Sequence, residues 1–247
     1  MLRRGPSSKL RQRPRYLEPL VPVVFPEEAQ VPEGQVHFEL RTILYQLLSD
    51  HLGPDFTVCS DQFMYFDAAD PRRCLAPDVY VRLAPRGAPI VTWKTWERGA
   101  PEIAIEIVSP SDRVGEPWAA KLQRYRHAGV AELVRFDHQA AREAERLRIW
   151  DRVDDALVER AVEGTRAPSL ILDLHWVLAP ADGYALALRI GVGEEGDQLL
   201  LTRAEARKAE AEARKAEAEA RKTEVEAREA RIRELEAELA RVRESAK

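Results

Sequence analysis

Apolar residues recur with three different spacings along this chain, and each spacing predicts its own kind of element. Residues 1–32 hold six of the sixteen prolines and no apolar period, so no helix is expected there. From Glu33 the spacing turns helical, with Leu40, Ile43, Leu44, Leu47, Leu48 and Leu52 in one stripe before Gly53 and Pro54 stop it. β-rich runs follow at 56–59 and 62–66, then the turn-forming "DAADP", then "APDVYVRL" over 76–83. These predict three strands.

"PEIAIEIVSPSDR", residues 101–113, opens as a short strand that is apolar on both alternating faces, the pattern of a strand covered on both sides. Glu106 stands in the middle of it. A carboxylate buried without partners is strongly unfavourable or takes up a proton, so its presence there predicts a pairing group or a metal. Residues 118–128 then place Leu122 and Tyr125 on one helical face, with Gly129 as the C-terminal stop. "ELVRFD", 132–137, reads as another apolar strand, "RLRIWD" and "ALVERAV" alternate like a solvent-facing hairpin, and "SLILDLHWVL" resumes the apolar pattern near 170–178. Helix, strands, helix, strands is a mixed α/β order around a central sheet.

From Ala204 the chain repeats every seven residues: "AEARKAE AEARKAE AEARKTE VEAREAR IRELEAE LARVRES". High helix propensity and the i,i+4 pairs Glu210 to Arg214, Glu217 to Arg221 and Glu224 to Arg228 predict one long helix, roughly 60 Å at about 1.5 Å per residue. Its seam is expected to be weak at Ala206, Ala209, Ala213 and Ala216 and stronger at Val225, Ile232, Leu235, Leu239 and Val242. A solitary charged helix and a coiled coil that makes the protein a homo-oligomer are both open; the coiled coil is the preferred reading.

Composition narrows the class. At 247 residues and 45% hydrophobic content the chain can bury a real core, and it has neither a membrane-length apolar run nor an apolar signal core. A cytoplasmic protein without membrane contact is expected. Cys59 and Cys74 form no CxxC pair and read as reduced thiols. The net charge of −4 hides a basic arm, with six Lys or Arg and no acid in residues 1–16, a nearly neutral tail and an acidic body. An acidic body argues against a broad phosphate-binding face, although a solvated basic arm can still attract nucleic acid.

Asp78, after Pro77 at the start of a predicted strand, is the expected partner of Glu106. Two acids on neighbouring strands can hold a hard cation such as Mg²⁺, which keeps waters free for a phosphate oxygen and an attacking water. Lys121, in the next helix, adds a positive charge that can position water or stabilise developing charge. The five histidines lack HxxxH spacing, "VSPSD" lacks the glycines of a nucleophile elbow, with Ser109 reading as a turn residue, and no G-x-x-x-x-G-K loop occurs. Zinc, serine-hydrolase and phosphate-loop chemistry are therefore unsupported.

"APDVYV", "PEIAIEIVSPSDR", "KLQRY" and "GVAELVRFD", in this order, resemble the Uma-type putative restriction endonucleases of the PD-(D/E)XK nuclease superfamily over roughly residues 20–200. The resemblance implies a restriction-endonuclease-like core, a mixed sheet flanked by helices, over residues 20–202, between a disordered basic arm at 1–19 and a helical tail at 203–247. It implies DNA as substrate, Mg²⁺ or Mn²⁺ as cofactor, Asp78 and Glu106 as metal ligands, and Asp78, Glu106 and Lys121 as the catalytic set. One position departs from the superfamily: the lysine expected two residues after the second acid is Val108, and Lys121 is its natural replacement. Lys121 to Tyr125 also resembles a Q-x-x-x-Y helix motif with Lys for Gln. Gly34 to His37 resembles a G-x-x-H-like segment, which makes His37, and Glu39 near it, secondary candidates. The rival reading is a binding protein that keeps the fold, has weak or no catalysis, and assembles through its tail.

Overall fold

The computed structural model describes residues 25–26, 34–113 and 115–245, and the basic arm expected over 1–19 lies outside them. In chain order the elements are α1 (Gln35–Leu52), β1 (Thr57–Cys59), β2 (Met64–Tyr65), β3 (Cys74–Leu75), β4 (Val79–Arg82), β5 (Trp93–Lys94), α2 (Thr95–Arg98) and β6 (Ile103–Ile107). There follow α3 (Trp118–Ala128), β7 (Glu132–Phe136), β8 (Leu147–Val153), β9 (Ala156–Arg160), β10 (Arg166–Pro168), β11 (His175–Ala181), β12 (Tyr184–Val192), β13 (Gln198–Leu199) and α4 (Arg203–Ser245).

The central sheet has six strands in the order β1-β4-β6-β7-β8-β9. Only β6 and β7 run parallel, because α3 carries the chain from the end of one to the start of the other; every other neighbouring pair is antiparallel. All five residues of β6 are buried, as its two-sided apolar pattern predicts. On one face Ile103, Ile105 and Ile107 pack with Val134, Phe136 and the α1 stripe of Leu40, Ile43, Leu44, Leu47 and Leu48. Trp176, Leu188 and Ile190 of a second, four-stranded antiparallel sheet, β10-β11-β12-β13, close that layer. On the other face Ala104 and Leu133 pack with Tyr125 and Ala128 of α3 and with Met64, Leu75 and Trp93 of a small sheet, β3-β2-β5. The result is a mixed α/β fold whose central sheet is covered on both sides.

α3 ends where the sequence predicts. Gly129 takes φ +89°, and a Cβ there would stand 2.9 Å from that of Ala100, so the turn into β7 needs a residue without one. The three early strands are divided: β1 and β4 pair in the central sheet, while β2 joins the small one. The strand expected near 170–178 begins only at His175. Before it the chain bends, and Ser169 Oγ accepts the N–H groups of Ile171 and Leu172 that a ladder would otherwise hold. α4 is one continuous helix, as the heptads predict.

Candidate active site

The β4 and β6 register pairs Val79 with Ile105, so one step further Asp78 stands opposite Glu106. Asp78 Oδ2 accepts the N–H of Ile107 at 2.6 Å, which fixes the carboxylate at the end of β6. His37, in the first turn of α1, places Nε2 2.7 Å from the Ile107 carbonyl oxygen and 3.2 Å from Asp78 Oδ1. Both neighbours are acceptors, so Nε2 carries the hydrogen. One carboxylate oxygen and one carbonyl oxygen therefore converge on the His37 ring.

Glu106 points to the same side of the sheet as Asp78, toward α3. Lys121 and Tyr125 lie four residues apart and so share a helix face. The Tyr125 hydroxyl donates to Glu106 Oε1, and Lys121 Nζ meets Oε2 at 2.8 Å. Lys121 Nζ also reaches Asp112 Oδ1 at 3.2 Å. Asp112 is pinned in turn, its Oδ2 accepting Ser109 N at 2.8 Å and Ser109 Oγ at 2.6 Å across the 3-10 turn Ser111–Arg113.

The charges follow from this geometry. Burial pushes the Glu106 carboxyl up to about 7, with the Asp78 charge adding to the rise and Lys121 opposing it. Burial alone would lower Lys121, but the negative charges of Glu106 and Asp112 outweigh it and hold the ammonium above its ordinary range. For Asp112, burial is outweighed by Lys121 and the Ser109 hydrogen bonds, which keep it below the usual carboxylate range. Lys121 is therefore an ammonium at neutral pH, and Glu106 is the group that can change state there.

His37, Asp78, Glu106, Ser109, Asp112 and Lys121 line a cleft of about 670 Å³, with Tyr125 buried behind Glu106. Its wall is acidic, with Asp61, Asp78, Glu106, Asp112 and Glu116 against Lys121 and Arg124. Behind Lys121 a smaller cavity of about 70 Å³ is lined by Glu106, Lys121, Val108, Arg113 and Arg135.

A family model described as Uma2, "putative restriction endonuclease", matches residues 27–181, well over half of the chain. The chain belongs to this Uma2 family. No curated protein matches it. A solved structure, a putative nuclease of DUF820 from Anabaena variabilis, is similar over 56% of this chain and 73% of its own, at 13% identity and a TM-score of 0.38. Uma2 membership places the protein among nuclease-like proteins and agrees with the resemblance read from its motifs.

Of the residues singled out from sequence, Asp78, Glu106, Lys121, Tyr125 and His37 come together around one cleft. Glu39 does not; it accepts hydrogen bonds from Tyr184 and Gln35 on the far side of α1. Asp112 was not foreseen, although "SPSD" carries the S-x-x-D spacing in which an acid reaches back to the N–H of a serine three residues earlier. Among the described residues no cluster of three or more His, Cys, Asp or Glu is arranged to hold a metal, and no helix is long and apolar enough to cross a membrane. Two carboxylates and a carbonyl are too few for a structural zinc site but suit Mg²⁺, which is held through one or two carboxylates and keeps several waters.

Proposed function

We propose that this protein is a metal-dependent endonuclease that hydrolyses DNA phosphodiester bonds, acting in the cytoplasm. Asp78, Glu106 and the Ile107 carbonyl are the groups that would hold Mg²⁺ or Mn²⁺. When bound, such an ion supplies Lewis acidity toward a phosphate oxygen and a water of lowered pKa. The chain's own residues do the rest. Lys121 remains protonated, so it serves as a hydrogen-bond donor and positive charge toward the phosphate and not as a base. Asp112 and Glu106 hold its ammonium from two sides, and Tyr125 fixes the plane of the Glu106 carboxylate.

The observation that carries this reading is the position of Lys121. Its ammonium bridges Glu106 and Asp112 at 2.8 and 3.2 Å and lines the same small cavity as Val108, where the superfamily lysine is missing. A charge lost from the strand is thus supplied from the following helix. Incubation of purified protein with supercoiled and single-stranded DNA, with Mg²⁺ or Mn²⁺ and with chelator, is the test: metal-dependent nicking supports the reading.

The acid-lined cleft and Val108 favour a second reading, a nuclease-fold binding protein with weak or no catalysis that assembles through α4. Intact DNA under every divalent metal tried, from protein that still binds those metals, would select it.

A further inference from the structure

The start of α4 is tied to the body. Arg189 meets Glu205 at 2.7 Å, Arg203 meets Asp50 at 2.7 Å, and Thr202 Oγ1 donates to Asp182 at 2.7 Å. From residue 206 to residue 243 every position is exposed. Within this stretch Val225, Ile232, Leu235 and Leu239 are 47–54% exposed and follow the alternating spacing of seven, three and four that makes one coiled-coil seam, which Val242 continues.

That seam is not the continuation of the alanine stripe expected from the sequence. Ala206 and Val225 are nineteen residues apart, five out of step with the heptad, so Ala206, Ala209, Ala213 and Ala216 lie on the far side of an unbroken helix. Carried back toward the body, the true seam meets Ala204, Ala211 and Ala218 alternating with Arg207, Arg214, Arg221 and then Arg228. A guanidinium in every second layer cannot be buried cheaply. Continuous apolar pairing is therefore confined to residues 232–242, with Val225 one layer beyond Arg228, and the earlier heptads are a spacer of roughly 30 Å.

The charges beside the seam decide what covers it. When two copies run parallel and in register, each residue just before an a position faces the residue five further on in its partner. This sets Glu210 against Lys215, Glu217 against Lys222, Arg231 against Glu236 and Glu238 against Arg243, with Glu224 against Glu229 as the repulsive flanking contact and Arg228 against its own copy as the repulsive seam layer within 225–242. An antiparallel pair that stacks Leu235 on Leu239 and Ile232 on Val242 instead sets Glu236 and Glu238 each against its own copy. Sliding that pair by one heptad sets Glu229 against Glu236 and Lys222 against Arg243, offset only by Arg231 against Glu238. Val225 and Ile232 at a positions with Leu235 at d favour two strands, opposed by the single layer pair of Leu239 at a and Val242 at d.

We infer that the chain pairs with a second copy of itself as a parallel, in-register, two-stranded coiled coil over residues 225–242. Both bodies then sit at the same end of the rod, on tethers fixed in direction by Glu205 and Arg203. On the nuclease reading, which the pairing itself does not require, this offers two clefts to one duplex.

The test uses the full chain and does not depend on cleavage. Val225→Cys, oxidised, is expected to form a covalent dimer, since parallel pairing sets residue 225 beside its copy; wild-type protein, whose Cys59 and Cys74 are partly buried in the body, is the control. Glu229→Lys turns the repulsion with Glu224 into an attraction and is expected to lower the dissociation constant severalfold by sedimentation equilibrium. A monomer at tens of micromolar, or a dimer that Val225→Cys does not link, overturns the proposal. An unchanged or weaker Glu229→Lys dimer overturns the register.

Discussion

Two carboxylates stand on the two parallel strands of the central sheet, both nearly sealed from solvent, and they do opposite things. Glu132 opens β7 and points to the α1 face. Its Oε1 accepts Trp176 Nε1 at 2.8 Å and Ser169 Oγ at 2.9 Å, and its Oε2 accepts Leu170 N at 2.8 Å and Arg160 Nη2 at 3.3 Å. Four donors from the stretch that runs from the end of β9 into β11 close on one side chain, so Glu132 binds the second sheet to the first. Glu106 points to the α3 face, has two donors, faces a second carboxylate and opens on a cleft. Burial raises the pKa of both. Burial of an acid therefore does not mark a site, nor does a second acid opposite it, since Asp151 pairs with Glu132; a buried acid that opens on a cleft does.

The largest effects should fall on chemistry at the Glu106 end. Asp78→Ala and Glu106→Ala are expected to abolish Mg²⁺ or Mn²⁺ binding in calorimetric titration while the protein stays folded. Lys121→Met is expected to cut DNA cleavage by at least about 100-fold with metal affinity nearly intact, because an ammonium is not a metal ligand. Unchanged cleavage would remove Lys121 from the mechanism, and wild-type metal binding by both acid variants would move the site elsewhere.

At the Glu132 end the effect should be on stability. Glu132→Ala leaves Arg160 without one of its two carboxylates and strips acceptors from Trp176, Ser169 and Leu170, so unfolding in urea should show a loss of about 3–5 kcal/mol. Glu106→Gln should cost far less, since it removes a charge that Asp78 repels. If the two variants lose stability equally, the contrast between staple and site fails.

This contrast also explains what was legible in the sequence. Glu106 interrupts an apolar run, and its partners sit in recognisable text, "APDVYV" and "KLQRY", so local pattern and motif order found the site. Glu132 follows a turn and looks like an ordinary polar strand end; its partners lie at 160, 169, 170 and 176, and only the folded chain brings them together. The same bend hid the true start of β11, because "SLILDL" has the apolar content of a strand while its backbone N–H groups go to Ser169 and Glu132. The Asp112 and Ser109 clamp had a signal, but a weak one. The long helix was plain, whereas its seam was misread because alanine and branched stripes of equal period look continuous until their phase is counted.

Acid and base should separate the two carboxylates further. The folded state binds the Glu106 proton more tightly than the unfolded chain, about 7 against an ordinary 4.5. Stability from this group is therefore complete below 4.5 and is lost as pH rises through about 7. Without divalent metal, wild-type stability should fall by up to about 3 kcal/mol between pH 4.5 and 8 because of Glu106. Glu132 contributes in the same direction, so the measure is the difference between wild type and Glu106→Gln, which should have the flatter profile. Parallel profiles would show that Glu106 stays ionised throughout.

The smallest effect expected is also the most specific to a working site. Asp112→Asn keeps the Ser109 turn within reach of a side-chain oxygen but removes one of the two negative charges that hold the Lys121 ammonium. Outer groups of this kind are typically worth 10- to 100-fold in activity or metal affinity, and with Glu106 still in place the low end, about 10-fold in cleavage, is expected. A merely structural role for Asp112 would lower cleavage equally at every pH. Loss of its charge should instead let Lys121 deprotonate earlier, so the alkaline limb of the cleavage profile should move to lower pH while urea stability hardly changes. At the Glu132 end the matching change, Ser169→Ala, should cost about 1 kcal/mol of stability and leave the shape of that profile untouched. A uniform drop for Asp112→Asn would reduce the clamp to a turn, and Lys121 would then depend on Glu106 alone.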